Sequence, residues 1–407
     1  MSTEDTLGTR LVRIALMFST LLYLFALWAN RQFAFTDFRV LHFGSQLVRD
    51  GQADIAYDPV AFAEATQGHE QLSVTARELD TFWSTPTFAF VMRPFTYLSS
   101  NAALIVWLLL GVLAVFGAVR ILKLPMWAGA LALVMPFAAG NFLTAQTGFF
   151  AILWAAAIHR LCVDDKPMHA GLVAGLAVLK PTLLLGVAIW WLLDWKRWYP
   201  ALGAALGLGT SLVAAATLVG GIGNWEQFLS AIEARAEINE IVIKNQATLA
   251  EFGNRLVGKG IAEHPAAFAL YLAIGAVILQ MVRKRWPDRL DVISGTAVLV
   301  SLLVSPHLLA YDAGLIIIPF AVAVHAGVQH LTLERLMAIY VVTSLMMIMS
   351  FGPLGAIRTN TSPSTIGLVI IFAMWIPLVT ADKSQQSEIK MVETIDEDPT
   401  NELPFAA

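Results

Sequence analysis

Long apolar runs separated by short basic turns fill most of this 407-residue chain, and no other feature constrains its fold as tightly. The first run covers residues 11–29. The turns between later runs hold Arg120 and Lys123, Arg160 and Lys166, Lys196 and Arg197, then Arg283, Lys284, Arg285 and Arg289, and finally Arg335. In membrane proteins, short loops rich in Lys and Arg face the cytoplasm. Hydrophobic residues make up 57% of the chain and charged residues 14%, against about 25% charged in a soluble domain. That balance excludes an ordinary cytosolic enzyme and a disordered chain alike. The expected fold is an all-α polytopic membrane protein with about twelve transmembrane helices.

Two long polar stretches break the pattern. Residues 31–85 carry eight acidic side chains against four arginines, and residues 221–264 carry six against four basic ones. Both are expected outside the cytoplasm, the first of them helical. A secretory signal peptide would have a shorter apolar core and a small-x-small cleavage site. Residues 11–29 are therefore expected to remain as a first helix with a cytoplasmic N-terminus. Runs at 266–282, 292–305, 314–329, 336–350 and 366–380 then bring the C-terminus back to the cytoplasm.

Some segments are short. Residues 170–179 and 182–193 form a hairpin broken at Pro181. A helix of about a dozen residues spans about 18 Å, less than the roughly 30 Å hydrocarbon core. Such helices need shelter from protein or a wet cavity. Residues 86–119 read as one crossing with a preceding half-helix, or as two crossings. Residues 1–380 form the membrane domain. Residues 381–407 hold seven acidic residues against two lysines, with no apolar periodicity, and read as a solvated, disordered cytoplasmic tail. The single cysteine, Cys162, permits no internal disulfide framework. A net charge of −4 is wrong for a general nucleic-acid binder.

Polar groups near a bilayer are costly and mark function. On this topology Asp37, His42, Trp83, Pro86, Asn141, Gln146, Lys180, His307 and Asp312 fall in outer loops or at their edges, although they come from distant parts of the chain. Asp37, just beyond the first helix, is placed to take a proton from a hydroxyl; an aspartate there also suits a helix N-cap. Lys180, between two apolar runs, can hold a phosphate as a point charge or snorkel to the interface. His307 follows Ser305-Pro306 and precedes Tyr311-Asp312, and a histidine there can donate to phosphate or shuttle protons. The pair Asp164-Asp165 lies in a cytoplasmic turn beside Lys166 and is a poor metal site. No zinc, phosphate-loop or dinucleotide fingerprint stands in a suitable context, so ATP hydrolysis and hydride transfer are unsupported.

Several short elements, in order, carry a family resemblance. They are Asp37-Phe38 with Ala56-Tyr57-Asp58-Pro59, Phe82-Trp83-Ser84-Thr85-Pro86, Gly140-Asn141 with Gln146, and Lys180-Pro181-Thr182 with Trp195-Lys196-Arg197-Trp198. Lys244-Asn245-Gln246-Ala247-Thr248-Leu249 and Ser305-Pro306-His307 with Tyr311-Asp312 complete the series. Together the chain resembles the C-type membrane glycosyltransferases, and within them family 87, the polyprenyl-phosphate-mannose-dependent α-mannosyltransferases of bacteria. It departs from that family at Ser84-Thr85-Pro86, where a double proline is usual, and in the order of the Asn141 and Gln146 element.

The resemblance implies a bacterial plasma-membrane enzyme with an extracytoplasmic site. It would move a sugar, by family default mannose, from a polyprenyl-phosphate donor to a glycolipid or glycan acceptor. It implies Asp37 as catalytic base and His307 at the donor phosphate. Lys180 adds a cation beside the leaving phosphate on physical grounds. Trp83, Gln146, Asn245 and Asp312 are expected in contact with substrate. One base and direct displacement imply inversion, with no metal and no cofactor. The rival reading is a membrane transporter or lipid-linked-sugar flippase. It explains the composition, but not an aspartate hard against the membrane, and no internal repeat supports it.

Overall fold

The computed structural model describes residues 17, 20, 21, 24, 28, 35–67, 82, 84–133, 136–236, 265–305 and 310–325. Among these the regular structure is all helical, with no strand. Trp83, Asn245, His307, the runs at 336–350 and 366–380 and the acidic tail lie outside the described residues.

The first loop is helical over most of its described residues 35–67, as the resembled fold implies. Helix α1 (Thr36–Arg49) has Asp37 in its first turn and Arg49 in its last, each matching the helix dipole. Phe38, Leu41, His42 and Ser45 lie at helical spacing and are buried. Helices α2 (Ala53–Tyr57) and α3 (Pro59–Thr66) follow. Asp58 caps α3 by accepting from Ala61 N at 2.7 Å, and Pro59 takes the first helical position, where no amide hydrogen is missed.

Residues 86–119 resolve into a short helix followed by one long one. Helix α4 (Pro86–Met92) is capped by Thr85, and after a 3₁₀ turn at Phe95–Tyr97 helix α5 (Ser100–Ile121) is capped by Ser99. Twenty-two residues make α5, about 33 Å of helix and enough to span a bilayer. The short helices α6 (Trp127–Leu133) and α7 (Pro136–Thr144) lead to α8 (Gly148–Val163).

The hairpin broken at Pro181 is also present. Helix α9 (Pro167–Gly175) gives way to 3₁₀ turns at Leu176–Leu179 and Pro181–Leu184, and α10 (Leu185–Leu193) continues beyond them. The break puts Lys180 at the point where the chain reverses. Helix α11 (Trp195–Gly220) then runs 26 residues into α12 (Gly223–Ala236). The last described helices are α13 (Pro265–Arg285), α14 (Leu290–Val304) and, after a 3₁₀ stretch at Ala310–Ile316, α15 (Ile317–His325).

Helix α14 is the hub of the larger core, buried at every position from Val292 to Val304. Helices α8, α10 and α13 pack around it. Small residues let backbones meet closely, as in membrane bundles. A Cβ on Gly186 would stand 2.1 Å from Ala297 O, and one on Gly171 would stand 2.1 Å from Ala201 O. A second core joins the first loop to α4 and α5 through Phe38, Tyr57, Phe62, Phe82, Met92 and Trp107. Helix α12 leans on it, with Phe228 against Tyr57 at 5.6 Å between ring centroids. The two long polar stretches thus meet on one face.

The outer surface of the bundle is apolar along helical stripes. Ile105, Leu109 and Leu113 are exposed on α5, and Leu270, Val277 and Met281 on α13. Continuous apolar faces of this kind suit lipid rather than water. By length and composition α5 and α11 are the two described helices able to cross a membrane, while α8, α10 and α14 are apolar but shorter.

Candidate functional site

Asp37 is the second residue of α1, one place inside the helix. The N-cap position belongs to Phe35, which makes no side-chain cap. The aspartate is therefore not spent on capping. Gln146 Nε2 donates to Asp37 Oδ2 at 2.6 Å across 109 residues of sequence. Burial pushes the Asp37 carboxyl above its ordinary value of 3.8; the hydrogen bond from Gln146 and the charge of Lys180 pull it down without cancelling that rise.

Two backbone residues frame this contact. Phe35 has φ +62° and Ala145 has φ +50°, left-handed conformations that non-glycine residues seldom adopt. Each lies within two positions of a contact partner. Phe35 N donates to Leu143 O, and Trp107 Nε1 donates to Ala145 O at 2.9 Å. The start of α1 and the turn between α7 and α8 are thereby clamped together. Sequence reasoning missed both strained residues and Trp107, since neither φ nor the partner of an indole can be read from residue type.

Asn141, also expected at this end, is fully buried. A Cβ on Gly148 would fall 2.4 Å from its Oδ1. Glycine at the first position of α8 is therefore what admits the Asn141 amide behind the Gln146 turn. Pro86 begins α4 and is buried. His42 is turned elsewhere: its Nε2 lies 3.1 Å from Phe95 O, and its ring stacks on Phe38.

A second polar pair lies close enough for its lysine to act electrostatically on Asp37. Lys180 Nζ donates to Asp312 Oδ1 at 2.5 Å, with 22% of the lysine side chain and 1% of the aspartate side chain exposed. Asp312 sits in the 3₁₀ stretch after α14, packed on α7 and α8. The lysine is thus anchored by a buried carboxylate rather than snorkelling free. Asp37, Gln146, Lys180 and Asp312 come together at one end of the bundle.

The far end of α8 holds a different set of charges. Asp164 pairs with Arg160 at 2.5 Å, Asp165 with Arg197 at 2.9 Å, and Asp194 lies 3.9 Å from Arg283. The Asp164-Asp165 pair is engaged by arginines from its own and a neighbouring helix. Among the described residues no group of three His, Cys, Asp or Glu side chains is placed to hold a metal ion.

The described residues make a helical bundle whose apolar outer stripes suit a membrane protein, with the Asp37–Gln146 contact and the Lys180–Asp312 pair at one end. The sequence pattern of glycosyltransferase family 87 matches residues 82–306. That is more than half of the chain, and the chain belongs to this family of glycosyltransferases. Neither the curated proteins nor the solved structures give a match.

Proposed function

We propose that this family 87 member transfers a sugar, mannose by the family's default, from a polyprenyl-phosphate donor to a hydroxyl of a glycolipid or glycan. The site faces the outside of the plasma membrane. The polyprenyl chain stays in lipid, and its phosphate sits at the interface beside Lys180 and His307. The acceptor hydroxyl gives its proton to Asp37 as its oxygen attacks the anomeric carbon. The bond from that carbon to the phosphate oxygen breaks, and its electron pair leaves with the phosphate. Attack from the opposite face inverts the centre, so a β-linked donor yields an α-linked product.

The observation that carries this reading is that the charge of Lys180 acts on the Asp37 carboxyl although the two come from segments far apart in sequence. A base and a cation for the leaving phosphate are the two groups that such a displacement needs. Burial also raises the proton affinity of Asp37, which suits a base working near neutral pH. Trp83, Asn245 and Gln146 complete the proposed contacts around substrate, and the buried Asp312 holds Lys180 in place behind them. The chemistry draws on no metal or cofactor.

The test is transfer of radiolabelled mannose from polyprenyl-phosphate mannose into the glycolipid and glycan fractions of membranes holding the protein. Wild type should transfer label, and Asp37→Asn should not while still inserting. Label moved equally by that variant would remove Asp37 as base. Uptake or flipping of the lipid-linked sugar without transfer would favour the transporter reading.

A further inference from the structure

We propose that Gln146 is the positioning residue of the Asp37 base: its amide holds Oδ2 and leaves Oδ1 to receive the acceptor's proton. This inference rests on the transferase reading above. The contact is short, 2.6 Å between Gln146 Nε2 and Asp37 Oδ2. A carboxylate so held keeps one rotation, and general-base catalysis depends on that alignment.

The chain spends unusual geometry on this one bond. Phe35 and Ala145, two of the left-handed non-glycine residues among those described, stand beside its two partners. Strain of this kind persists only where the surroundings impose it, and it gathers at functional sites. Here the surroundings are identifiable. Leu143 O takes the Phe35 amide, Trp107 holds the Ala145 carbonyl, and the Asn141 amide backs the turn through the space that Gly148 leaves open.

Among the described residues few charges face Asp37. Lys180 reaches it from the Pro181 break and is itself paired with Asp312. Helices α4 and α7, packed on α1, have no ionisable side chains, and α5 has only Arg120 near its far end. Helix α2 adds Asp54 and Tyr57, the Phe95–Tyr97 turn adds Tyr97, and α1 itself has Arg39, His42 and Arg49. His307 lies outside the described residues. With Lys180 retained, the hydrogen bond from Gln146 is the contact that a substitution can remove alone.

Donation to the carboxylate favours the charged form. Removing it should move the titration of Asp37 to higher pH. Gln146→Leu deletes the donor, and Gln146→Glu keeps the side-chain shape while replacing the donor by a second acid. The full chain, purified in a bilayer mimic, is titrated by infrared difference spectroscopy. The band of its protonated Asp37 is assigned by loss in Asp37→Asn.

Both Gln146 variants should titrate about one pH unit or more above wild type. The acidic limb of kcat/KM, read with polyprenyl-phosphate mannose in membranes, should move with them, and kcat should fall roughly 10- to 100-fold. A role confined to packing would spare Gln146→Glu and leave both profiles in place. Unchanged titration in both variants, with Asp37→Asn inactive, overturns the inference and leaves the base intact. Full transfer by Asp37→Asn overturns the base reading itself.

Discussion

Lys180 Nζ lies 2.5 Å from Asp312 Oδ1, joining the break in one hairpin to a 3₁₀ turn 132 residues later. The aspartate side chain is 1% exposed, so the lysine is the charge that meets solvent or substrate. Taking the lysine from such a pair removes a close counter-ion from a buried carboxylate.

Lys180→Met should therefore lower stability by about 2–4 kcal/mol, less than the cost of breaking a fully buried pair because the lysine is partly exposed. Adding Asp312→Leu should restore part of that loss. Thermal unfolding of the two single variants and the double variant reads the coupling directly. Additive losses would mean that the pair is energetically idle.

Asp37→Asn should abolish transfer, by at least about 100-fold, without a loss of stability at neutral pH. The sign follows from the raised carboxyl. A folded-state value above the ordinary 3.8 gives stability that is present below the unfolded value and lost as pH rises through the folded one. At neutral pH the charged Asp37 is a cost that asparagine removes. Thermal melts of the two proteins at pH 7 should put the variant equal or higher, and a clearly lower melt would contradict the burial argument.

His42 predicts a separate acid sensitivity. Burial, against the offsetting hydrogen bonds to the backbone at Phe95 and Leu98, holds its imidazole below the ordinary 6.5. The unfolded chain then takes up the proton first. Stability should be full above pH 6.5 and decline as pH falls from there through the folded value. His42→Gln keeps a donor for Phe95 and should flatten the loss between pH 7 and pH 5 in unfolding scans.

Gly186→Ala tests the bundle rather than the site. Its new methyl group would meet Ala297 O at 2.1 Å and Ser301 N at 2.6 Å, both backbone atoms of α14. Helices α10 and α14 would have to part, at a cost of about 1–3 kcal/mol. Unfolding temperature is the readout, and an unchanged value would mean that the helices are less closely packed.

Sidedness has its own assay. Val60 in the first loop is 68% exposed, and Lys196 beyond α10 is exposed too, whereas the natural Cys162 is buried. In intact cells Val60→Cys should react with an impermeant thiol reagent and Lys196→Cys should not. The opposite pattern would turn the proposed topology over.

Much was legible in the residues themselves. Apolar runs and their basic punctuation determined a helical, lipid-compatible chain, because periodic hydrophobicity is a local property. Pro181 marked the hairpin break, and Thr85, Pro86 and Ser99 carry the capping chemistry that resolves 86–119 into a short and a long helix. Order and type of short elements were enough for the family. Tertiary structure alone decided what each polar group touches. Asp37 could have been a cap, and Lys180 could have snorkelled; the fold gave the first to Gln146 and the second to Asp312. Pairings across 109 and 132 residues depend on how whole helices pack and on backbone conformations at Phe35 and Ala145. No local sequence signal encodes either, since both are set by contacts formed only when the bundle closes.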